Sequence, residues 1–402
     1  MSNRERKSYL PEIRRLEVEP VRPKLRLALV VLLLAVGAAS IVWAFRASTS
    51  ARSGWVEITA NASQTENCSD EFIFRYRLGK NSAEEYRLAT EVYTEASARA
   101  FQLFHPTRRF DGVGNLALLN AAPNETVTLD EPLYQALALL EQSGDRGIYL
   151  APVYAQYDAV FRSVSDETAA AYDPAFDKEA ETYVERFLAL AADPDAVRIE
   201  LEGDDRARLR VSEAYLSLAR EYGVSCFVDF YWMRNAFAAD LIAQALLDAG
   251  LRHGYLVSTD GFGRCLDREG ERYALRVTEM DGETLTQAAE YSYTGPMALV
   301  DLRAFPQTEG TEDCFYRYAD GALRTPYLRE DGTDRCAVSE LYLCAREQSC
   351  AGLLLKAKPL FMADSFDEAA AAALSNEGIA ALCFRGGRLF ENAAVDGLLK
   401  KE

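Results

Sequence analysis

VDFYWMRNAFAADLIAQALLDAGLRHGYLVSTDGFGRC, residues 228–265, carries the densest structural signal in the chain. From Arg234 onward its apolar residues recur at helical spacing, with Phe237, Leu241, Ala245 and Leu246 on one face. Gly250 stands where a left-handed residue ends a helix. GYLVS (254–258) then reads as a strand, and VSCFVDF (224–230) before the helix reads as another. Together they predict a β-α-β unit.

The same alternation of helix and strand continues on both sides. EFIFRYRL (71–78) alternates as a half-buried strand does, and Ser82 with Glu85 forms a capping box that opens a helix to about Phe104. Asp130-Glu131-Pro132 opens another helix, with proline where a missing N–H costs nothing. Residues 174–192 give a third. VRIEL and ARLRV, separated by Gly203-Asp204-Asp205, read as a hairpin. Ser365 and Glu368 form a second capping box before an Ala-rich helix, and IAALCF-RGG-RLF closes as a hairpin. No segment repeats with a period that would indicate a solenoid. The expected fold class is α+β (mixed α/β), with mixed sheets and flanking helices.

Charge is distributed unevenly. The 402 residues carry 44 Lys and Arg against 62 Asp and Glu, a net −18. Residues 1–26 hold eight of the cations and four of the anions, which leaves 36 against 58 on the rest. An acidic body argues against nucleic-acid binding, which needs clustered cationic surface. With His105 and His253 as the two histidines, multi-histidine metal sites are excluded. LALVVLLLAVGAASIVWAF, residues 27–45, is uncharged and about as long as a bilayer's hydrocarbon core is thick. The basic flank before it predicts a cytoplasmic N-terminus and an extracytoplasmic main domain at a cell membrane, with Trp43 and Phe45 at the interface. A cleaved signal peptide is the rival reading, although no A-x-A site closes the run. The expected organisation is a tail (1–26), a transmembrane helix (27–45), a Ser/Thr-rich stalk (46–67), an exported domain (68–395) and a C-terminal tail (396–402). All eight cysteines follow the span, where disulfides persist, and they lack zinc-ribbon spacing; disulfides and buried thiols both remain open.

In the order of its elements the exported part resembles the FAD:protein FMN transferases, the ApbE-like flavin transferases. Three stretches carry the likeness. FHPTRRFDGVGNLALLNAAPNETVTLDEPLYQALALLEQSG (104–144) resembles the family's Asn-x-x-x-Leu-Asn region. Residues 228–265 follow its phrase Leu-Asp-Leu-Gly-Gly-Ile-Ala-Lys-Gly-Tyr-Ala-Ala-Asp, then a helix, then a strand ending in Asn-x-Gly-Gly-Asp. SCAGLLLKAKPLFMADSFDEAAAAAL (349–374) resembles its Ala-Asp-Ala-x-x-Thr-Ala helix. The resemblance implies an exported enzyme that uses FAD and magnesium to attach FMN to Ser or Thr of a protein partner.

On the motifs themselves the chain departs from the family. Asp229 and Asp240 match the two aspartates of the long phrase, but Tyr231 and Trp232 replace the glycine pair, Asn235 the lysine and Ala236 the next glycine. Asn-x-Gly-Gly-Asp becomes Ser258-Thr259-Asp260-Gly261-Phe262. The family's His-x-x-Asp-Pro-x-Thr-Gly stretch falls on Thr325 to Gly332 without its His or Asp. The magnesium-binding Asp and Thr fall on Gly352 and Lys356. The resemblance thus places Asp229, Asn235, Asp240, Asp260 and Lys356 at a nucleotide site, with Lys356 as a candidate stand-in for the metal's charge. Large rings cannot approach a diphosphate as glycine backbone does, and an ammonium repels Mg²⁺.

Three functions follow from this: a catalytically degenerate domain that binds a ligand or a protein, a divergent Mg-dependent FMN transferase or FAD pyrophosphatase, and an unrelated structural ectodomain. No G-x-S-x-G, P-loop or C-x-x-C occurs. His253 as a base would need Cys226 or Ser258 as its nucleophile. Tyr291, Tyr293, Phe315, Tyr316 and Tyr318 are candidates for lining a groove or for packing strands.

Overall fold

The computed structural model describes residues 54–61, 66–268, 270–281, 284–306 and 314–402. The span expected at 27–45 lies outside the described residues. Among the described residues no helix is long and apolar enough to cross a membrane.

Eight strands form the main sheet: β1 (Gly54–Ile58), β2 (Phe72–Leu78), β3 (Gly254–Ser258), β4 (Phe262–Cys265), β5 (Met297–Arg303), β6 (Glu340–Ala345), β7 (Ala380–Arg385) and β8 (Arg388–Glu391). They lie side by side in that order, and every pairing is antiparallel. The α+β class holds, but the parallel β-α-β unit does not form. VSCFVDF is irregular because other groups take its backbone N–H: Asn120 Oδ1 accepts from Phe227 and Val228, both at 3.0 Å, and Ile148 O accepts from Asp229 at 2.9 Å. A buried N–H needs one partner, and a side chain serves as well as a ladder. β1 falls within the expected stalk, yet it pairs with β2 along its whole length. At the other end Lys400–Lys401, in the expected tail, pairs with residues 291–292.

Three helices matter to the site. α1 (Ser82–Phe104) buries Ala89, Tyr93, Ala96, Ala100 and Leu103, a stripe at helical spacing. Its expected capping box is displaced: Asn81 is the N-cap, and Glu85 reaches back to Gly79 N–H at 2.6 Å. α2 (Arg234–Asp248) packs against α1 and on β3 and β4. Its buried stripe runs through Asn235, Ala239, Ile242, Ala243 and Leu246, leaving Leu241 and Ala245 half-buried, so the face is rotated from the one the sequence predicts. Gly250 closes the helix at φ +81°, as expected. α3 (Cys350–Phe361) covers β5 and β6. On β6, Tyr342 and Cys344 join a second apolar cluster with the hairpin of residues 272–294. All six β6 residues are therefore buried.

The hairpin at 197–211 forms with Asp204 and Asp205 both at positive φ, the two-residue turn its sequence asks for. The Ala-rich helix is Glu368–Ala373; Asp367 rather than Ser365 caps it, accepting from Ala370 N at 2.9 Å. Cys68, Cys226, Cys265, Cys336, Cys344, Cys350 and Cys383 are thiols. Burial pushes Cys68, Cys336, Cys344 and Cys383 up to about 12, which leaves them unreactive.

Candidate functional site

A cavity of about 580 Å³ opens beside the start of α2. Its floor comes from the irregular segment that Asn120 pins. Asn120 also donates from Nδ2 to Pro106 O at 2.8 Å and Val228 O at 2.9 Å, so one buried amide fixes two chain segments at the cavity. The Asn-x-x-x-Leu-Asn phrase has a physical content here. Asn115 caps the helix Leu116–Ala121 by accepting from Leu118 N at 3.0 Å, and Asn120 lies in its last turn.

Next in the chain, Asp229 Oδ1 accepts from Tyr231 N at 2.9 Å and closes the single 3₁₀ turn Tyr231–Met233 that leads into α2. Tyr231 sits at φ +47°, a left-handed conformation that glycine adopts freely and tyrosine does not. The resemblance drawn from the sequence puts the first glycine of the glycine pair at this position. Two contacts hold Tyr231 in this conformation. The Tyr231 ring stacks on Tyr154 with centroids 4.4 Å apart, and its hydroxyl donates to Asp158 at 3.2 Å. Such strain costs about 1–3 kcal/mol and persists where surroundings over-determine it. Trp232 packs edge-on against Tyr327, with centroids 4.9 Å apart.

Asp260 enters from the turn after β3. Gly261 makes that turn possible: its φ is +103°, and a Cβ there would lie 2.1 Å from Asp301 O. Asn235 Nδ2 donates to Asp260 Oδ2 at 3.1 Å, while Asn235 Oδ1 meets no donor. Asn235 is 5% exposed. Three arginines also reach the cavity, each already paired. Arg234 binds Glu71, Arg162 binds Asp158 at 2.6 Å, and Arg303 is held by Asp301 at 2.6 Å and by Glu340. Burial pushes the carboxyls of both Asp229 and Asp260 up to about 6. The Tyr231 N–H and Arg234 resist this at Asp229; the Ser258 hydroxyl, Asn235 and Arg234 resist it at Asp260.

Of the five residues singled out in the sequence, Asp229, Asn235 and Asp260 line this one cavity. Asp240 does not. Its Oδ1 accepts from Cys350 N at 2.9 Å and from Arg264 at 2.7 Å, and its Oδ2 from Ala351 N at 2.9 Å, so it caps α3 from a distance. Lys356 forms an ion pair with Glu377 at 2.6 Å. Sequence reasoning missed Glu71, Arg234, Arg303 and Tyr327. Arg234 lies inside the long phrase and Tyr327 inside the Thr325–Gly332 stretch, yet neither residue matched a motif position; Glu71 and Arg303 lie far off in the chain and carried no signal. His253 lies 3.8 Å from Asp267, and Ser258 Oγ accepts from Phe262 N. Of the five aromatic candidates Phe315 lines the cavity, Tyr291 and Tyr293 pack in the second cluster, and Tyr316 and Tyr318 bond to Asp166 and Asp173.

No protein-family model matches the sequence, and no curated protein matches it. The architecture, however, is that of the ApbE flavin transferases. An ApbE protein from Thermotoga maritima shares it with a TM-score of 0.59 at 13% identity, over 86% of this chain and 99% of that one. The apo flavinyl transferase ApbE from Pseudomonas stutzeri aligns with a TM-score of 0.50 at 14% identity, over 81% and 92%. Flavin transferase ApbE from Vibrio cholerae gives 0.50 at 12%, over 81% and 95%. At these identities the shared property is the fold.

The magnesium ion that the resemblance implies does not fit the residues present. Gly352 has no side-chain oxygen to offer, and its backbone N–H donates to Ser349 Oγ at 2.9 Å. Lys356 brings an ammonium, and both oxygens of Asp240 already accept hydrogen bonds. A hard cation needs several free oxygens. Among the described residues no cluster of three or more His, Cys, Asp or Glu is placed to hold a metal.

Proposed function

We propose that the chain is a membrane-anchored, extracytoplasmic domain of flavin-transferase fold that binds a ligand or protein partner and has lost metal-dependent FMN transfer. One observation carries the reading. Where the resemblance places a glycine, Tyr231 has a left-handed backbone and a ring stacked on Tyr154. The cavity remains of ligand size while its rim no longer admits a diphosphate closely. Metal-assisted cleavage of FAD would further require donors that Gly352 and Lys356 do not supply.

The test uses the full chain in detergent micelles with FAD, with and without Mg²⁺, following flavin fluorescence and FMN release. The expected result is no release under either condition. Magnesium-dependent release would make the chain a working FMN transferase or pyrophosphatase and overturn the proposal. The anchor has its own readout. The full chain is expected to stay with membranes through an alkaline carbonate wash, and a chain lacking residues 1–45 to leave them. Extraction of the full chain by the wash would remove the anchor from the reading.

A further inference from the structure

The charges around the cavity do not match an anionic ligand. Its three guanidinium groups are each committed to carboxylates, Arg234 to Glu71, Arg162 to Asp158, and Arg303 to Asp301 and Glu340 behind the wall. Asp229 Oδ1 takes the first N–H of the 3₁₀ turn, at Tyr231. Asp260 remains. It lines the cavity with Glu71, Arg234 and the neutral amide of Asn235 around it, and both its own Oδ1 and the amide's Oδ1 are buried without a donor. Around them stand the rings of Trp232, Phe262, Phe305, Phe315 and Tyr327.

We propose that this cavity binds an organic ammonium ion bearing N–H donors and an apolar or aromatic body, with the ammonium between Asp260 and Asn235 Oδ1. The inference rests on the ligand-binding reading above and names the ligand class. Asp260 Oδ1 and Asn235 Oδ1 are two buried acceptors without a donor, which an ammonium satisfies and a phosphate or carboxylate ligand does not; Trp232 Nε1 and Arg234 Nε, on the same lining, are donors without a partner. Aromatic walls accept the apolar body and attract a cation through their faces. The surrounding chain favours the same sign: residues 27–402 carry 58 anions against 36 cations, a field that draws cations towards the surface. A quaternary ammonium would satisfy the rings but leave Asn235 Oδ1 unpaired, so the N–H form is the one the site specifies.

The experiment is calorimetric titration of the full chain in detergent at pH 7.5 with phenethylamine, its neutral analogue 2-phenylethanol, its trimethylammonium derivative, FAD and FMN. Phenethylamine is expected to bind at least about tenfold more tightly than the alcohol, the scale of one charged hydrogen bond. Asp260→Asn is expected to abolish that preference while unfolding at no lower temperature than the parent. Equal binding of amine and alcohol, or an unchanged preference in Asp260→Asn, overturns the proposal. Binding of FAD or FMN without the amine also overturns it and leaves the ligand-binding reading standing. Binding of none of the five overturns it too and leaves only the protein-partner part of the reading above.

Discussion

Asp240→Ala destabilises the folded chain by about 3–5 kcal/mol, read as a lower urea midpoint, and leaves the cavity's ligand preference unchanged in the protein that remains folded. The magnitude follows from what the carboxylate holds. It caps α3 through two backbone N–H groups, worth about 1 kcal/mol each, and it neutralises Arg264, which is mostly buried. Removing one partner of a buried pair leaves the other charge uncompensated, which costs several kcal/mol. Asp240→Asn, which keeps one acceptor, falls between parent and alanine. A nucleotide-site aspartate would behave in the opposite way: the alanine variant would keep its stability and lose binding. That outcome would return Asp240 to the functional role the resemblance implies.

Asp240 also shows where sequence reading stops. Its place in the motif phrase was legible, but its partners are 24 residues away at Arg264 and 110 at Cys350. Nothing local distinguishes an aspartate that caps a remote helix from one that faces a ligand. The apolar run 224–230 fails for a related reason. Hydrophobicity correctly marks it as buried, yet Asn120, over 100 residues earlier, takes the N–H groups a neighbouring strand would have used. By contrast β2 and the hairpin at 197–211 were legible because strand alternation and two-residue turns are local properties. Asp229, Asn235 and Asp260 were reached through the resemblance, which preserves position even where chemistry has changed. The left-handed backbone of Tyr231 had no signal of its own, since tyrosine disfavours it; only the glycine it replaces pointed there.

The second large effect is a stability that falls as pH rises from about 4 to 6. Asp229 and Asp260 hold their protons up to about 6 when folded, against an ordinary value of 3.8. Between those limits the unfolded chain has released both protons and the folded chain has kept them. Folding therefore favours the protonated form. The contribution is fully present below 3.8 and is lost as pH climbs through 6, by up to about 1.4 kcal/mol per pH unit for each group. From pH 4 to pH 7 this amounts to about 2–3 kcal/mol per group. The groups facing Asp260 are Glu71, Arg234, Asn235 and Ser258; those facing Asp229 are Tyr231 N–H, Arg234 and Asp158. Glu71 and Asp158 deepen the shift and Arg234 limits it. Asp301, raised well above its usual range by burial with Glu340 beside it, acts in the same direction. The exposed pairs Glu200 with Arg210 and Glu221 with Arg186 act the other way but are screened by solvent. The check is a series of urea midpoints from pH 4 to 7.5 on the parent and on Asp229→Asn/Asp260→Asn. The double variant should lose the share of the slope that these two carboxyls supply, leaving that of Asp301, Asp240 and Asp334, and exceed the parent's stability at pH 7.5. Retaining an ionised, desolvated Asp260 at neutral pH costs the fold stability, as expected of a residue kept for binding. An amine that prefers ionised Asp260 then binds more tightly as pH rises through 6, the reverse of the stability trend. A parent whose stability is flat across this window, or a double variant with the parent's slope, would show that the two carboxyls titrate normally and that the cavity is wetter than its walls imply.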